Sequence, residues 1–233
     1  MSWAGIGETQ FDELIEKTLE DDIYLRREKD WDNKISPKDY SVVNSFPKKI
    51  RKSILKYHSD VNTGKIKNLL TAWKNSCLKE DKNSLFLYGD TGTGKTVLAC
   101  AVANSWMRER YIMTATYVPF KIMYNVYDFV SKIKSFYAKN NQQETTEYEF
   151  LQKLETQPLL ILDDLGVEKG SEWEMFMLYG LINNRSQEGL PTIYTSNYSL
   201  EELSCKMSND RIVSRIMLTS TIIKCDGFEE VYD

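Results

Sequence analysis

Eight consecutive residues, Gly89-Asp90-Thr91-Gly92-Thr93-Gly94-Lys95-Thr96, constrain the fold of this chain more than any other feature. They match GxxxxGK[ST] at every fixed position, directly after the apolar run Leu85-Phe86-Leu87-Tyr88 and before a helical stretch that opens near Thr96. Glycines let the backbone wrap a phosphate with its N–H groups, and the following helix N-terminus adds a favourable dipole. In such a loop Lys95 reaches the β- and γ-phosphates and Thr96 is a ligand for Mg²⁺. The chain must therefore place strand, loop and helix in that order, with residues Gly89 to Val97 as the candidate nucleotide-binding segment.

The rest of the sequence supplies a sheet to carry the loop. Short β-rich runs at residues 85–88, 113–118, 159–162, 192–195 and 219–224 alternate with helical spacing, which predicts a parallel sheet with helices on both faces. A helix is expected over residues 121–139, followed by a polar, mobile loop at 140–146. With 233 residues, 42% of them hydrophobic, one sizeable core and a small appendage fit the length. No apolar stretch approaches the roughly 20 residues that span a bilayer, and residues 1–10 lack a secretory pattern. The expectation is a cytoplasmic protein with no membrane partner.

Charge and side-chain chemistry exclude several functions. A net charge of −4 argues against coating duplex DNA through global attraction, so any nucleic-acid contact must be local. Cys77, Cys100, Cys205 and Cys225 are scattered without a CxxC pair and read as buried free thiols. His58 is the sole histidine, which leaves a His-rich zinc site or a Ser-His-Asp triad short of residues.

Towards the N-terminus, Phe11, Ile15, Leu19 and Ile23 recur every four residues and predict an amphipathic helix over residues 9–31 with an acidic outer face. Periodicity fails between residues 33 and 47, where Pro37 and Pro47 interrupt it. The division expected is residues 1–40 as a helical segment with its linker and 41–233 as the main domain. Residues 50–78 return to helical spacing, and the basic cluster of Lys48, Lys49, Arg51, Lys52 and Lys56 reads as a solvated face before it reads as a phosphate patch.

Two further strand ends carry polar chemistry. Leu159-Leu160-Ile161-Leu162-Asp163-Asp164 is an apolar strand closing on two carboxylates; behind a phosphate loop, Asp163 would hold Mg²⁺ and Asp164 would orient or deprotonate the attacking water. In Thr192-Ile193-Tyr194-Thr195-Ser196-Asn197, the Asn197 amide could bond the γ-phosphate or the lytic water, or it could cap the helix starting at Leu200. Lys132 and Lys134 with Tyr124, Tyr127, Phe136 and Tyr137 predict an amphipathic helix with buried aromatics.

Together the phosphate loop, LLILDDLG, the strand ending TSN, Leu200-Glu201-Glu202-Leu203 and Asp210-Arg211-Ile212-Val213-Ser214-Arg215 resemble the helicase-loader ATPases of the DnaC/DnaI type, in the initiator group of AAA+ proteins. The resemblance spans roughly residues 36–224. It implies an α/β P-loop AAA+ core preceded by a short N-terminal helical segment, and ATP hydrolysis that is weak until assembly or DNA stimulates it. It also implies that a replicative DNA helicase is loaded onto single-stranded DNA by a self-associated spiral or ring. Arg215 would then act in trans as an arginine finger, supported by Arg211, and Trp173 with Lys169 would lie on a loop facing the DNA; Trp173 packing into the core is the alternative. Two departures stand out. The N-terminal zinc module of some loaders is replaced by the 9–31 helix, which would dock the helicase. No arginine follows the final strand as a second sensor, and Lys224 precedes that point. Reduced size suits a phage or mobile-element version. The rival readings are a transposition helper ATPase of the IstB type and a P-loop phosphotransferase.

Overall fold

The computed structural model describes residues 83–114, 122–137, 145–166, 171–207 and 210–225, together with Asn68 and Trp73. The expectations for the 9–31 helix, the boundary near residue 40, the 48–56 basic cluster, His58, Cys77, Lys169 and the residues after the final strand lie outside that set. The elements run β1 (Ser84–Tyr88), α1 (Lys95–Thr114), β2 (Met123–Asn125), α2 (Val126–Phe136), α3 (Glu147–Glu155), β3 (Leu160–Asp163), α4 (Glu172–Gln187), β4 (Thr192–Ser196), α5 (Leu200–Lys206), α6 (Asp210–Thr219) and β5 (Ser220–Lys224).

The strands form one sheet in the order β2-β3-β4-β1-β5, parallel throughout. Burial runs almost without interruption along β1, β3 and β4 because both faces are covered. Successive side chains point to opposite faces. Leu85, Leu87, Ile161 and Ile193 therefore join α1 residues Leu98 to Ala103 and Trp73 in one layer. Phe86, Leu160, Leu162 and Tyr194 join the helices α2 to α6 in the other. Among the described residues, no helix is long and apolar enough to cross a membrane.

Strand β4 lies between β1 and β3, so the strand before the phosphate loop and the strand ending in two carboxylates are not neighbours. Helix α1 closes that gap by packing across β1, β4 and β3. Its first turn thus reaches from the loop towards the end of β3.

Four of the five expected strands lie within a residue or two of their predicted positions; of the second, expected over 113–118, residues 115–118 lie outside the described set. Met113 and Thr114 belong to the end of α1, and the strand that pairs with β3 is Met123–Asn125, inside the stretch expected to be helical. Helix α2 begins only after it. The aromatics of this stretch are also less buried than expected: Val126, Phe129, Val130 and Ile133 fill the inner face of α2, while Tyr127 and Tyr137 are 57% and 61% exposed. Thr146, placed in a loop by the sequence, caps α3 through a reciprocal pair of bonds with Glu149. Cys100 and Cys225 are buried free thiols, whereas Cys205 is exposed.

Candidate nucleotide-binding site

The phosphate loop turns where its glycines allow it to. Gly89, Gly92 and Gly94 have φ of 146°, 86° and 80°, values that side-chain-bearing residues rarely adopt. At Gly89 a side chain would also run into the carbonyl of Cys225. The loop is tied to the sheet on both sides: the Gly89 N–H donates to the Ser196 carbonyl at 3.2 Å, and the Cys225 N–H donates to the Tyr88 carbonyl at 2.7 Å. Within the loop, the Thr93 hydroxyl donates to the Asp90 carbonyl at 2.8 Å. Asp90, Thr91 and Gly92 are exposed, while Thr93, Gly94, Thr96 and Val97 are half-buried.

Lys95 opens α1 and is only 6% exposed. Its ammonium donates to the carbonyls of Gly89 at 2.8 Å and Asp90 at 2.7 Å, so the charge is centred under the loop. One residue on, the Thr96 hydroxyl donates to Asp163 Oδ1 at 2.9 Å, joining the loop to the end of β3 across the intervening strand. A hydroxyl and a carboxylate side by side suit Mg²⁺, which is held by one or two protein oxygens together with substrate and water.

Asp163 is 5% exposed. Burial pushes its carboxyl above the ordinary range, and the neighbouring charge of Asp164 pushes the same way. Hydrogen bonds from Thr195 and Thr96 and the charge of Lys95 oppose that rise. The shortest of these bonds comes from β4, where Thr195 Oγ1 donates to Asp163 Oδ1 at 2.6 Å. The same threonine oxygen accepts the Asp164 N–H at 3.0 Å, and the Thr195 carbonyl accepts the Leu165 N–H at 2.8 Å.

Asp164 has φ of 60°, the left-handed region that aspartate tolerates better than most residues. This turn swings its half-buried carboxylate out of the strand direction. Asn125 Nδ2 donates to Asp164 Oδ2 at 3.0 Å, while Asn125 Oδ1 accepts the Tyr127 N–H at 2.9 Å and caps α2. The amide is thus oriented by the helix it starts.

Asn197 follows β4 directly and is half-buried; the carbonyl before it is the one that holds Gly89. The capping alternative fails, because Ser199 is the residue that caps α5, in a reciprocal pair of bonds with Glu202. Arg215 stands apart. It is half-exposed on α6, a helix that packs against α4, α5 and β5, and Arg211 one turn earlier is exposed. Trp173 is 38% exposed in the first turn of α4 and does not enter the core. Lys224 is exposed at the end of β5.

The structure therefore brings together Lys95, Thr96, Asp163 and Asp164, sets Asn197 on the same rim, and leaves Arg215 on an outer helix. Thr195 and Asn125 were not singled out from the sequence. A polar residue amid a buried strand needs a partner, which was the available signal for Thr195. For Asn125 it was the pairing of Asn with Asp128 three residues later, a helix-start pattern.

A family model described as IstB-like ATP binding protein matches residues 8–229. The chain is similar to the replicative helicase loader DnaI of Bacillus subtilis, with 31% identity over 155 residues that cover 61% of this chain and 46% of DnaI. To the replicative helicase loader DnaC of Escherichia coli it is 27% identical over 140 residues, covering 60% of this chain and 52% of DnaC. The chain spans about half the length of these curated relatives. A crystal structure of DnaI superposes with a TM-score of 0.54 and 25% identity over 75% of this chain and 94% of that one. The shared architecture is the α/β P-loop core of AAA+ ATPases.

Proposed function

The chain belongs to the family of IstB-like ATP-binding proteins, and from that premise we propose that it is an ATP-dependent loader that delivers a replicative ring helicase onto single-stranded DNA. The observation that carries this reading is the match to the DnaI loader. The bond between Thr96 and Asp163 supports its ATP-using half, since it joins the phosphate loop to a buried carboxylate as nucleotide hydrolysis requires.

In this reading the loop from Gly89 to Val97 wraps the phosphates with its N–H groups, and Lys95 meets the β- and γ-phosphates. Thr96 and Asp163 hold Mg²⁺, which when bound neutralises phosphate charge. Asp164, kept in place by Asn125 and by its N–H bond to Thr195, orients the attacking water. Asn197 bonds the γ-phosphate or that water. Arg215 completes the site of a neighbouring copy, where an arginine finger contributes roughly 10³ to 10⁵ in rate. Self-association into a spiral or ring follows from that arrangement, and residues 1–40 dock the helicase.

A second reading, a transposition helper ATPase of the IstB type that acts on duplex DNA, is favoured by the description of the family model itself. A pull-down against purified ring helicases, using the full chain and the chain lacking residues 1–35, separates the two. Capture by the full chain alone supports the loader. No capture, with tight binding to duplex DNA, supports the transposition helper.

A further inference from the structure

Ser196 ends β4 fully buried, and its polar atoms reach three separate segments. Its carbonyl accepts the N–H of Gly89 at 3.2 Å, at the start of the phosphate loop. Its hydroxyl donates to the Leu165 carbonyl at 2.6 Å and accepts the Tyr198 N–H at 3.1 Å. A serine hydroxyl has a single O–H to donate, and here it goes to the turn that follows Asp164, while a lone pair goes to the turn around Asn197.

Both turns depend on such bonds for their shape. Asp164 stands in the left-handed region, and consecutive residues of β4 hold it there: Thr195 accepts the N–H groups of Asp164 and Leu165, and Ser196 donates to the Leu165 carbonyl. On the other side, a serine oxygen that accepts the N–H two residues further on closes a local turn and fixes the backbone of the residue between. That residue is Asn197. The turn that carries Asp164 and the turn that carries Asn197 therefore share one oxygen.

Helix α5 backs the pair. Gly166 has φ of 89°, and a Cβ there would stand 2.2 Å from Leu203 Cδ2 and 3.3 Å from Tyr198 Cδ2, so the two turns pack side by side against the helix. The Lys206 ammonium, at the end of α5, lies 3.9 Å over the Tyr198 ring. A shift of either turn has to displace the other.

We propose, resting on the placement of ATP given above, that Ser196 is a positioning residue: its hydroxyl holds the Asp164 turn and the Asn197 turn as one unit, so that contact with the γ-phosphate and orientation of the attacking water are set together. It touches neither the nucleotide nor the water and acts through its neighbours.

The test uses the full chain with Mg²⁺ and two fluorescent probes, an ADP analogue and a non-hydrolysable ATP analogue, so that no turnover is needed. The readout is the ratio of the two affinities. Wild type should prefer the triphosphate, and Ser196→Ala should reduce that preference about three- to tenfold, the range of one hydrogen bond. Asn197→Ala should reduce it to a similar degree, and the double variant no further than the larger single loss, because both changes act through one contact. A hydroxyl that served stability alone would lower the melting temperature and leave the ratio in place. Ser196→Cys fills the same space with a weaker donor and acceptor, should fall between serine and alanine, and keeps the test decisive if Ser196→Ala unfolds. An unchanged ratio in a folded Ser196 variant, additive losses in the double variant, or a wild type that does not distinguish the probes overturns the proposal. Lys95→Ala is the control for the site itself: wild-type binding of both probes by that variant removes the nucleotide-site reading and the role of Ser196 with it, whereas lost binding there with an unchanged ratio in Ser196→Ala refutes the role of Ser196 alone.

Discussion

The hydroxyl of Thr195 serves both carboxylates at the end of β3: it donates to the side chain of Asp163 at 2.6 Å and accepts the backbone N–H of Asp164 at 3.0 Å. One oxygen on β4 thereby sets the position of two adjacent acidic residues. Thr195→Val keeps the shape and removes both bonds. Leaving these buried groups short of a partner should lower stability by about 1–3 kcal/mol, and ATP turnover should fall by more than the melting shift explains. Thr195→Ser should restore both. Urea unfolding together with steady-state ATPase rates checks this; a Val variant with wild-type turnover would show that the threonine does not position the acids.

Lys95 and Asp164 should fail in different ways. Lys95→Ala should abolish ATP binding in a folded protein, because the buried ammonium is the main counter-charge available to the phosphates. Asp164→Asn should bind ATP and hydrolyse it about 10² to 10⁴ times more slowly, the range for losing a positioned acid–base group. Titration with a fluorescent ATP analogue and single-turnover hydrolysis distinguish the two. Wild-type affinity in Lys95→Ala removes the phosphate-loop assignment.

Arg215 offers a test of assembly. Neither Arg215→Ala nor Lys95→Ala should hydrolyse ATP appreciably alone, yet their mixture should recover activity, since one supplies an intact loop and the other an intact arginine across a shared interface. Native mass spectrometry establishes whether mixed assemblies form. Mixed assemblies without recovered activity, where the wild type is active, would rule out action in trans.

A fourth expectation concerns acid stability. Glu174 is held below the ordinary glutamate range by Lys134 first, with burial opposing and the Ser171 N–H assisting. Because its folded-state value is lowered, the unfolded chain binds more protons across the window below about 4.3, the value for a free glutamate. The stabilisation is therefore complete above that value and is lost as pH falls through the lowered one. Glu174→Gln should cost roughly 0.5–1 kcal/mol at pH 7, a modest figure because Lys134 is largely exposed. The difference from wild type should close in acid. Melting curves from pH 7 down to pH 3 read it directly.

What could be read from the sequence follows from how strongly each segment is constrained. The phosphate loop was legible because phosphate chemistry demands glycine, lysine and threonine at set spacing. Leu159 to Leu162 was legible because a strand covered on both faces is apolar throughout, and Thr192 to Thr195 because β-branched and aromatic residues favour a strand. Strand β2 was not, since three residues cannot separate a period of 2 from one of 3.6, and the helix after Asn125 follows with no break. The β-branched and aromatic composition of residues 113–118 suggested a strand; of these, the described Met113 and Thr114 extend a helix whose inner face packs on the sheet. Thr195 and Asn125 acquire their roles from residues 31 and 39 positions away, and no local pattern reports such distances.

Beneath the same two strands, Arg185 is wholly buried. It donates to the carbonyls of Leu154 and Gln157 ahead of β3, to the carbonyl of Pro191, and to the hydroxyl of Thr192 at the start of β4. Burial lowers its pKa only to about 10, so the pin stays charged at neutral pH. With Arg185 fastening the lower ends of β3 and β4 and Thr195 fastening the upper ends, the pair is clamped against sliding. Asp163 and Asp164 thus ride on a stiff two-stranded beam, and movement that accompanies nucleotide turnover has to come from the loops and helices hinged to its rim.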